Sequence, residues 1–148
     1  MILTDKNCDR SLIIQSVAKV EAACFSDPWT PRALDDLLCA NGSVFACSAD
    51  NDGNITGYVC GQIAADECEL YRIAVSDKYR GKGYAKELME YFIEECRRNN
   101  VWGIFLEVRS SNVPARTLYE KYGFQNIATR KNYYRNPTED AIIYKYEA

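Results

Sequence analysis

The chain carries a glycine-rich turn, Gly81-Lys82-Gly83, between a strand-like run and a helix-like run. The first run ends at Val75, and the amphipathic run Lys86–Ile93 follows the turn closely. Glycines adopt backbone conformations that other residues avoid, and they carry no Cβ that would block a ligand. A helix that begins at such a turn presents free backbone N–H groups and the positive end of its dipole. This combination predicts a binding site for phosphate groups, and therefore a phosphorylated cofactor.

The spacing of the glycines distinguishes this turn from two common nucleotide-binding loops. A Walker-type loop requires a glycine, a lysine and then serine or threonine, and that sequence does not follow Gly83. A dinucleotide-binding loop requires a third glycine where Lys86 stands. The pattern that remains is R-x-x-G-x-A, formed by Arg80, Gly83 and Ala85. Taken alone, this pattern is also compatible with a plain tight connection between a strand and a helix.

A carboxylate interrupts a second apolar strand, Ile104-Phe105-Leu106-Glu107-Val108. Alternation places Ile104 and Leu106 on one face of the strand, and Phe105 and Glu107 on the other. Glu107 can therefore be an outward-facing residue in water or a functional base. Because the chain contains no histidine, a general acid or base must be a carboxylate, tyrosine, lysine, cysteine or bound water. Glu107 is a candidate for this role.

The pattern N-x-x-A-x-x-L-Y-x-x-x-G-F follows this strand. Pro114 indicates the beginning of a helix, which Asn112 can cap and Gly123 can end. Tyr119 lies on this helix, where it is either a half-buried aromatic residue or a proton donor. The pattern therefore adds a possible general acid to the possible base on the preceding strand.

Several elements must position these residues, and apolar periodicity predicts them. Helices are expected at residues 9–25, from the Thr30-Pro31 cap to Gly42, at residues 82–99, and from Pro114 to Gly123. Strands are expected at residues 1–4, 43–48, 54–64, 67–75, 101–108, 124–134 and 141–146, with a hairpin turn at 50–53. Hairpins followed by alternating strands and helices predict a mixed α/β sheet, with its ligand site at the strand-to-helix turn.

Length and composition limit the class of protein. The 148 residues predict one globular domain, residues 1–148, and the net charge of −3 argues against a nucleic-acid binder. We find no run long enough to cross a membrane and no signal peptide. The seven cysteines lack C-x-x-C spacing, which argues against a metal site. We therefore expect a cytoplasmic protein without a metal, which is a monomer or a weak homodimer.

The glycine turn and the later helix, in this order and at this distance, resemble the two signatures of the GNAT superfamily of acetyltransferases. The resemblance implies the GNAT acyl-CoA N-acyltransferase fold, an α/β (mixed α+β) fold whose central, mostly antiparallel sheet is flanked by helices. It also implies acetyl-CoA as the co-substrate and an amine as the acceptor. The chain departs from the family pattern at Arg80, where glutamine is commoner, and at Ala85, where glycine is commoner.

The resemblance also assigns roles to residues. Glu107 corresponds to the general base and Tyr119 to the general acid. The strand end would pair with the pantetheine arm, the turn would hold the pyrophosphate with Arg80 at its entry, and Asn112 would contact the cofactor beyond the thioester. The cofactor-binding residues are thus Ile73, Ala74, Val75, Arg80, Gly81, Lys82, Gly83, Tyr84, Ala85, Lys86 and Asn112.

Further segments resemble the branch of the family that acetylates the N-terminal α-amino groups of proteins. These segments are residues 21–25, 28–30, 130–134 and 139–143. The tyrosine pair Tyr133-Tyr134 would bind the substrate, and Glu139-Asp140 beyond it would help to admit a basic N-terminus. Two alternatives stay open: an acetyltransferase for a small-molecule amine or a protein lysine, and a non-catalytic coenzyme-A-binding module. The presence of both Glu107 and Tyr119 argues against the second alternative.

Overall fold

The computed structural model describes residues 1–148, which form seven strands, four α-helices and one short 3-10 helix. In chain order the elements are β1 (Ile2–Leu3), α1 (Arg10–Cys24), α2 (Pro31–Cys39), β2 (Ser43–Ala49), β3 (Ile55–Ala64), β4 (Glu67–Val75), the 3-10 helix (Asp77–Tyr79), α3 (Tyr84–Arg98), β5 (Gly103–Arg109), α4 (Val113–Lys121), β6 (Gln125–Tyr134) and β7 (Glu139–Glu147). The predicted order is confirmed, and the 3-10 helix is the one element that the sequence pattern did not predict.

The seven strands form one mixed sheet in the order β1-β2-β3-β4-β5-β7-β6. All neighbouring strands are antiparallel except β4 and β5, which are parallel. This parallel pair is short, because only Glu67–Glu69 and Gly103–Phe105 face each other. Beyond these residues the two strands separate, and the edge of β4 that faces β5 has no partner strand. The predicted mixed, mostly antiparallel sheet is confirmed, and the separation creates an opening in its centre.

Helices cover both faces of the sheet. On one face α3 and α4 pack over a core that includes Leu88, Phe92 and Leu106. On the other face α1 and α2 pack over a second core that includes Val17 and Leu34. No helix of this protein is both long and apolar enough to cross a membrane. The opening between β4 and β5 therefore connects two well-packed layers, each of which contributes side chains to it.

Local signals in the sequence account for the positions where the helices begin and end. Asp9 caps α1 by accepting a hydrogen bond from Leu12 N at 3.1 Å, and Thr30 caps α2 in the same way. Pro31 occupies the first position of α2, as predicted. Gly123 follows α4 with φ +93°, a left-handed conformation that favours glycine.

Candidate active site

A cavity of about 350 Å³ lies where β4 and β5 separate. Five of the residues predicted from the sequence line it, and they come from four different elements and the turn before α4: Ile73, Glu107, Asn112, Tyr119 and Tyr134. A larger cavity, of about 450 Å³, lies between α1 and the 3-10 helix, but none of the predicted site residues lines it. The smaller cavity is therefore the candidate active site.

Glu107 lies on the face of β5 opposite the buried Ile104 and Leu106, as alternation predicts. Its side chain is 26% exposed, and Oε1 accepts a hydrogen bond from Nη1 of Arg130 at 2.8 Å. The nearby Tyr133 hydroxyl interacts with this carboxylate, which raises the pKa of Tyr133. The face of β5 that carries Glu107 forms part of the cavity wall. Glu107 therefore faces a space that an acceptor can enter, rather than open solvent.

Tyr119 projects from α4 into the same cavity and is almost completely buried. Its ring packs against Phe124 and Tyr144, with centroids 5.7 and 6.0 Å away. Burial raises the pKa of Tyr119 well above its usual value, and no hydrogen bond within the protein opposes this effect. The hydroxyl consequently keeps its proton at neutral pH, which is the state that a general acid requires.

The glycine turn has the features of a phosphate-binding site. Gly81 and Gly83 adopt φ values of +75° and +89°, and space is open where a Cβ would stand at either position. Gly83 is the N-cap of α3, and no side chain caps the helix there. The backbone N–H groups of the first turn, beginning at Tyr84, therefore stay available to an anion. The turn can therefore accept a phosphate group, and its predicted contact with the pyrophosphate of coenzyme A stays a prediction.

The end of β4 offers an unpaired backbone edge beside this turn. Residues 73–75 pair with residues 57–59 of β3 on one side and have no partner on the side facing β5. An extended chain could add to this edge as another strand does. The position agrees with the predicted role of Ile73, Ala74 and Val75 in contacting the pantetheine arm, which stays a prediction.

Arg80 has an intramolecular function in addition to its predicted position at the entry of the loop. Its Nε donates to the Val75 carbonyl oxygen at 3.0 Å, and Nη1 lies 2.7 Å from a carboxylate oxygen of Asp77. Arg80 thus ties the end of β4 to the connection that leads to the glycine turn. Contact with a phosphate is not tested by these interactions.

Asn112 has the predicted capping role, and its predicted contact with the cofactor stays a prediction. Its side chain caps α4 by accepting a hydrogen bond from Ala115 N at 3.3 Å. The same residue lines the candidate active site. The cap therefore fixes the beginning of the helix that carries Tyr119, beside the cavity.

The two neighbouring tyrosines have different surroundings. Tyr134 is half-buried and lines the cavity, and the guanidinium carbon of Arg109 lies 4.4 Å from its ring centroid. Burial raises the pKa of Tyr134 to about 12. Tyr133 is 47% exposed and lies outside the cavity wall, where it contacts Glu107. The structure therefore places only Tyr134 of this pair directly at the candidate active site.

The two acidic residues at the beginning of β7 interact with their own chain. Glu139 accepts a hydrogen bond from Ser111 N at 2.7 Å, and interactions with the side chain and then the backbone N–H of Ser111 lower the pKa of Glu139. Asp140 accepts from Asn132 N at 2.9 Å. Both carboxylates stabilise the β6–β7 hairpin and the turn before α4. This arrangement differs from the expected one, in which they help to admit a basic N-terminus.

A buried ion pair between Glu21 and Arg72, which the sequence pattern did not predict, lies behind another wall of the cavity, and Arg72 lines that wall. Glu21 of α1 has no exposed surface, and its Oε1 accepts from Arg72 Nη1 at 2.5 Å and from Trp29 N at 2.8 Å. Its other oxygen accepts a hydrogen bond from the Tyr58 hydroxyl. The guanidinium of Arg72 lies between the rings of Phe25 and Trp29, about 4 Å from each centroid. These contacts fix the loop after α1 to β4.

A signal for this ion pair is present in the sequence. Glu21 stands on the apolar side of α1, one residue after the buried Val20 and four after the buried Val17. A carboxylate at such a position needs partners, because burying an unpaired charge is costly. The pattern indicates that Glu21 is paired, although it does not identify Arg72 as the partner.

Replacing Glu21 with glutamine should lower the free energy of unfolding by about 3 kcal/mol, because Arg72 would then lack its buried counter-charge. Urea unfolding followed by circular dichroism measures this loss. Glu90→Gln is the matched control, since Glu90 is exposed on α3 and its contact with Lys86 is long, at 4.0 Å. An equally small effect of both substitutions would contradict the structural role of the ion pair.

Comparisons with known proteins support the family resemblance that the sequence indicated. A model of the acetyltransferase (GNAT) family matches residues 14–124. A Bacillus subtilis relative is 35% identical over 130 residues, which cover 88% of this chain and 86% of that protein. The ribosomal protein bS18-alanine N-acetyltransferase of Escherichia coli K12 is 40% identical over 96 residues, covering 62% of this chain and 64% of that enzyme.

A solved structure shows the same fold. The crystal structure of the ribosomal-protein-S18-alanine N-acetyltransferase from Escherichia coli superposes with a TM-score of 0.87 and 28% sequence identity. The superposition covers 99% of this chain and 92% of that chain. The agreement therefore includes the whole sheet and the helices that surround the candidate active site.

Proposed function

This chain belongs to the acetyltransferase (GNAT) family, and we propose that it transfers an acetyl group from acetyl-CoA to the N-terminal α-amino group of a protein. As the acceptor we propose the N-terminal alanine of a small-subunit ribosomal protein, as in the relatives named for bS18. We therefore also propose that the protein acts in the cytoplasm. One observation carries the proposal: Glu107 and Tyr119 face the same cavity, where β4 and β5 separate.

The family's co-substrate, acetyl-CoA, fits the elements beside this cavity. The uncapped N-terminus of α3 and the open space at Gly81 and Gly83 suit its pyrophosphate. The unpaired edge of β4 suits its pantetheine arm. With these two contacts, the thioester would reach the cavity between Glu107 and Tyr119. We assign the remaining predicted cofactor contacts, Lys82, Tyr84, Ala85 and Lys86, to the same turn and helix start.

The two site residues have complementary tasks in the reaction. A free α-amino group has a pKa near ~8, so most of it is protonated and unreactive at neutral pH. Glu107 takes the proton from this ammonium group, directly or through a water. The amine nitrogen then attacks the thioester carbon, and a backbone N–H near Val75 stabilises the oxyanion. As the new C–N bond forms and the C–S bond breaks, Tyr119 donates its proton to the leaving thiolate. The acylated nitrogen then gives up its second proton, directly or through a water, to the tyrosinate, which restores Tyr119.

This direct transfer does not need a covalent enzyme intermediate. Cys24 is the one cysteine that lines the cavity. Burial raises the pKa of its thiol, which therefore stays protonated at neutral pH and is a poor nucleophile. We accordingly assign no catalytic role to Cys24.

The decisive experiment measures acetyl-CoA turnover on a peptide that begins with Ala-Arg, with mass spectrometry to locate the acetyl group. We expect turnover on this peptide and none on the same peptide blocked at its N-terminus. Acetylation of a lysine in the blocked peptide would instead identify a protein lysine acetyltransferase. Binding of acetyl-CoA without turnover on any amine would contradict the catalytic proposal as a whole.

A further inference from the structure

We infer that Arg130 is a positioning residue for Glu107. The Arg130 guanidinium holds the Glu107 carboxylate in the orientation needed for proton transfer throughout the catalytic cycle. The inference rests on the proposed function, because it concerns the proposed general base. It adds a residue of the edge strand β6 that does not line the cavity to a site built from β4, β5, α4 and Tyr134 at the end of β6.

The first support is the convergence of two β6 side chains on one carboxylate. Arg130 Nη1 lies 2.8 Å from Glu107 Oε1, and the Tyr133 hydroxyl is near enough to interact with the same carboxylate. The guanidinium carbon of Arg130 is 4.8 Å from the Tyr133 ring centroid, so the two side chains also support each other. A charge-assisted hydrogen bond of this kind is both strong and directional.

The second support is the backbone irregularity that produces this convergence. In a regular strand, residues three apart point to opposite faces of the sheet. Here β6 advances four residues from Arg130 to Tyr134, whereas β7 advances two, from Ala141 to Glu139. The resulting bulge contains Asn132 in a left-handed conformation, with φ +51°. It brings Arg130 and Tyr133 to the same carboxylate, as bulges near active sites often do.

The bulge is itself fixed by a neighbouring carboxylate. Asp140 accepts a hydrogen bond from Asn132 N at 2.9 Å and lies 3.4 Å from the Lys131 ammonium. These contacts occupy Asp140 and Lys131 with each other. Of these two neighbouring cations on β6, Arg130 is the one that pairs with Glu107.

The third support is the direction from which Arg130 approaches. Glu107 lines the cavity, whereas Arg130 and Tyr133 do not. A carboxylate has lone pairs on both oxygens, so contact from the β6 side leaves room for an amine on the cavity side. Arg130 therefore does not need to leave when the acceptor enters.

The test compares Arg130→Met with Arg130→Lys and with Arg135→Met, which removes the same charge from the same hairpin away from Glu107. For Arg130→Met we expect kcat on the Ala-Arg peptide to fall about tenfold or more, since small misplacements of a catalytic group are costly. Both KM values should stay near wild type. Arg130→Lys should recover part of the loss, and Arg135→Met should leave kcat unchanged.

A double-mutant cycle separates positioning from a general structural effect. In the Glu107→Gln background, Arg130→Met should cause no further loss, because the base that Arg130 holds is already absent. The loss in Arg130→Met should also shrink at high pH, where the amine no longer needs a base. Four ionisable groups face Glu107: Glu69 on β4, and Arg130, Tyr133 and Tyr134 on β6. Apart from the substitution of Arg130 itself, these groups are the same in the compared proteins. Multiplicative losses, or a lower acceptor KM in Arg130→Met, would overturn the inference.

A second measurement is independent of turnover. Carbon-13 relaxation of the Glu107 side-chain methylenes should show greater mobility in Arg130→Met than in wild type and Arg135→Met. Equal mobility in the three proteins would overturn the inference. If the wild-type protein acetylates no amine, the proposed function fails, and this comparison still decides whether Arg130 holds Glu107.

Discussion

Replacing Glu107 with glutamine should slow acetylation of the acceptor peptide at pH 7 by ~10²–10⁴, the usual contribution of a general base. Glutamine keeps the side-chain shape and one oxygen that can accept the hydrogen bond from Arg130. It cannot take a proton from the acceptor ammonium group. Because the glycine turn is unchanged, the affinity for acetyl-CoA should stay near the wild-type value. Steady-state kinetics and calorimetric binding measure the two quantities separately.

The pH dependence of this loss identifies the role of Glu107. Above the amine pKa of ~8 the acceptor is already free, so much of the lost rate should return. Tyr119→Phe is the matched comparison, since it removes the proposed acid from the same cavity. Burial raises the pKa of Tyr119, so the wild-type hydroxyl stays protonated, and raising the pH should not restore the variant. A constant loss in Glu107→Gln from pH 7 to pH 10 would make Glu107 a binding group rather than a base.

The parts of this site that the sequence could predict depend on local patterns. The alternation in β5 identified the face of Glu107, because side chains in a strand have a period of two. Asn112 and Gly123 marked the ends of the helix that carries Tyr119, because caps act within a few residues. The positive φ values at Gly81 and Gly83 are compatible with the sequence because glycine adopts them at little steric cost.

The parts that could not be predicted depend on contacts between distant segments. The ion pair between Glu21 and Arg72 joins residues that are 51 positions apart. Arg130 reaches Glu107 across β7, and Tyr133 lies beside the same carboxylate because of the bulge that follows Arg130; one sequence reveals neither the strand pairing nor the change of register. For the same reason, the sequence treated Tyr133 and Tyr134 as one pair, although only Tyr134 lines the cavity.

The position of the cavity follows from the shortness of the parallel pair β4–β5. A longer pairing would close the opening and satisfy the backbone edge of β4 with β5. Here the pairing ends at Glu69 and Phe105, and both Glu107 and the end of β4 lie beyond it. The interruption of the sheet therefore explains how a proposed base and a backbone docking edge come to lie side by side.

Replacing Gly83 with valine should lower the affinity for acetyl-CoA by about a hundredfold or more, since the site would lose at least two charge-assisted hydrogen bonds to phosphate. Space is open at Gly83, so a Cβ added there meets no protein atom within 4 Å. It would instead stand where phosphates must approach the first N–H groups of α3. Titration calorimetry measures the affinity directly.

Valine at Gly83 also strains the backbone, because φ is +89° there, and Gly53→Val is the control for this effect. Gly53 has φ +83° and is likewise surrounded by open space, but it lies in the β2–β3 turn. Both variants should therefore lose a similar free energy of unfolding, about 1–3 kcal/mol, while only Gly83→Val loses affinity. Similar affinity losses in the two would indicate general destabilisation, and near-wild-type affinity in Gly83→Val would place the phosphates elsewhere. Selective loss would show that the missing Cβ of Gly83, and not merely its conformation, is what the ligand requires.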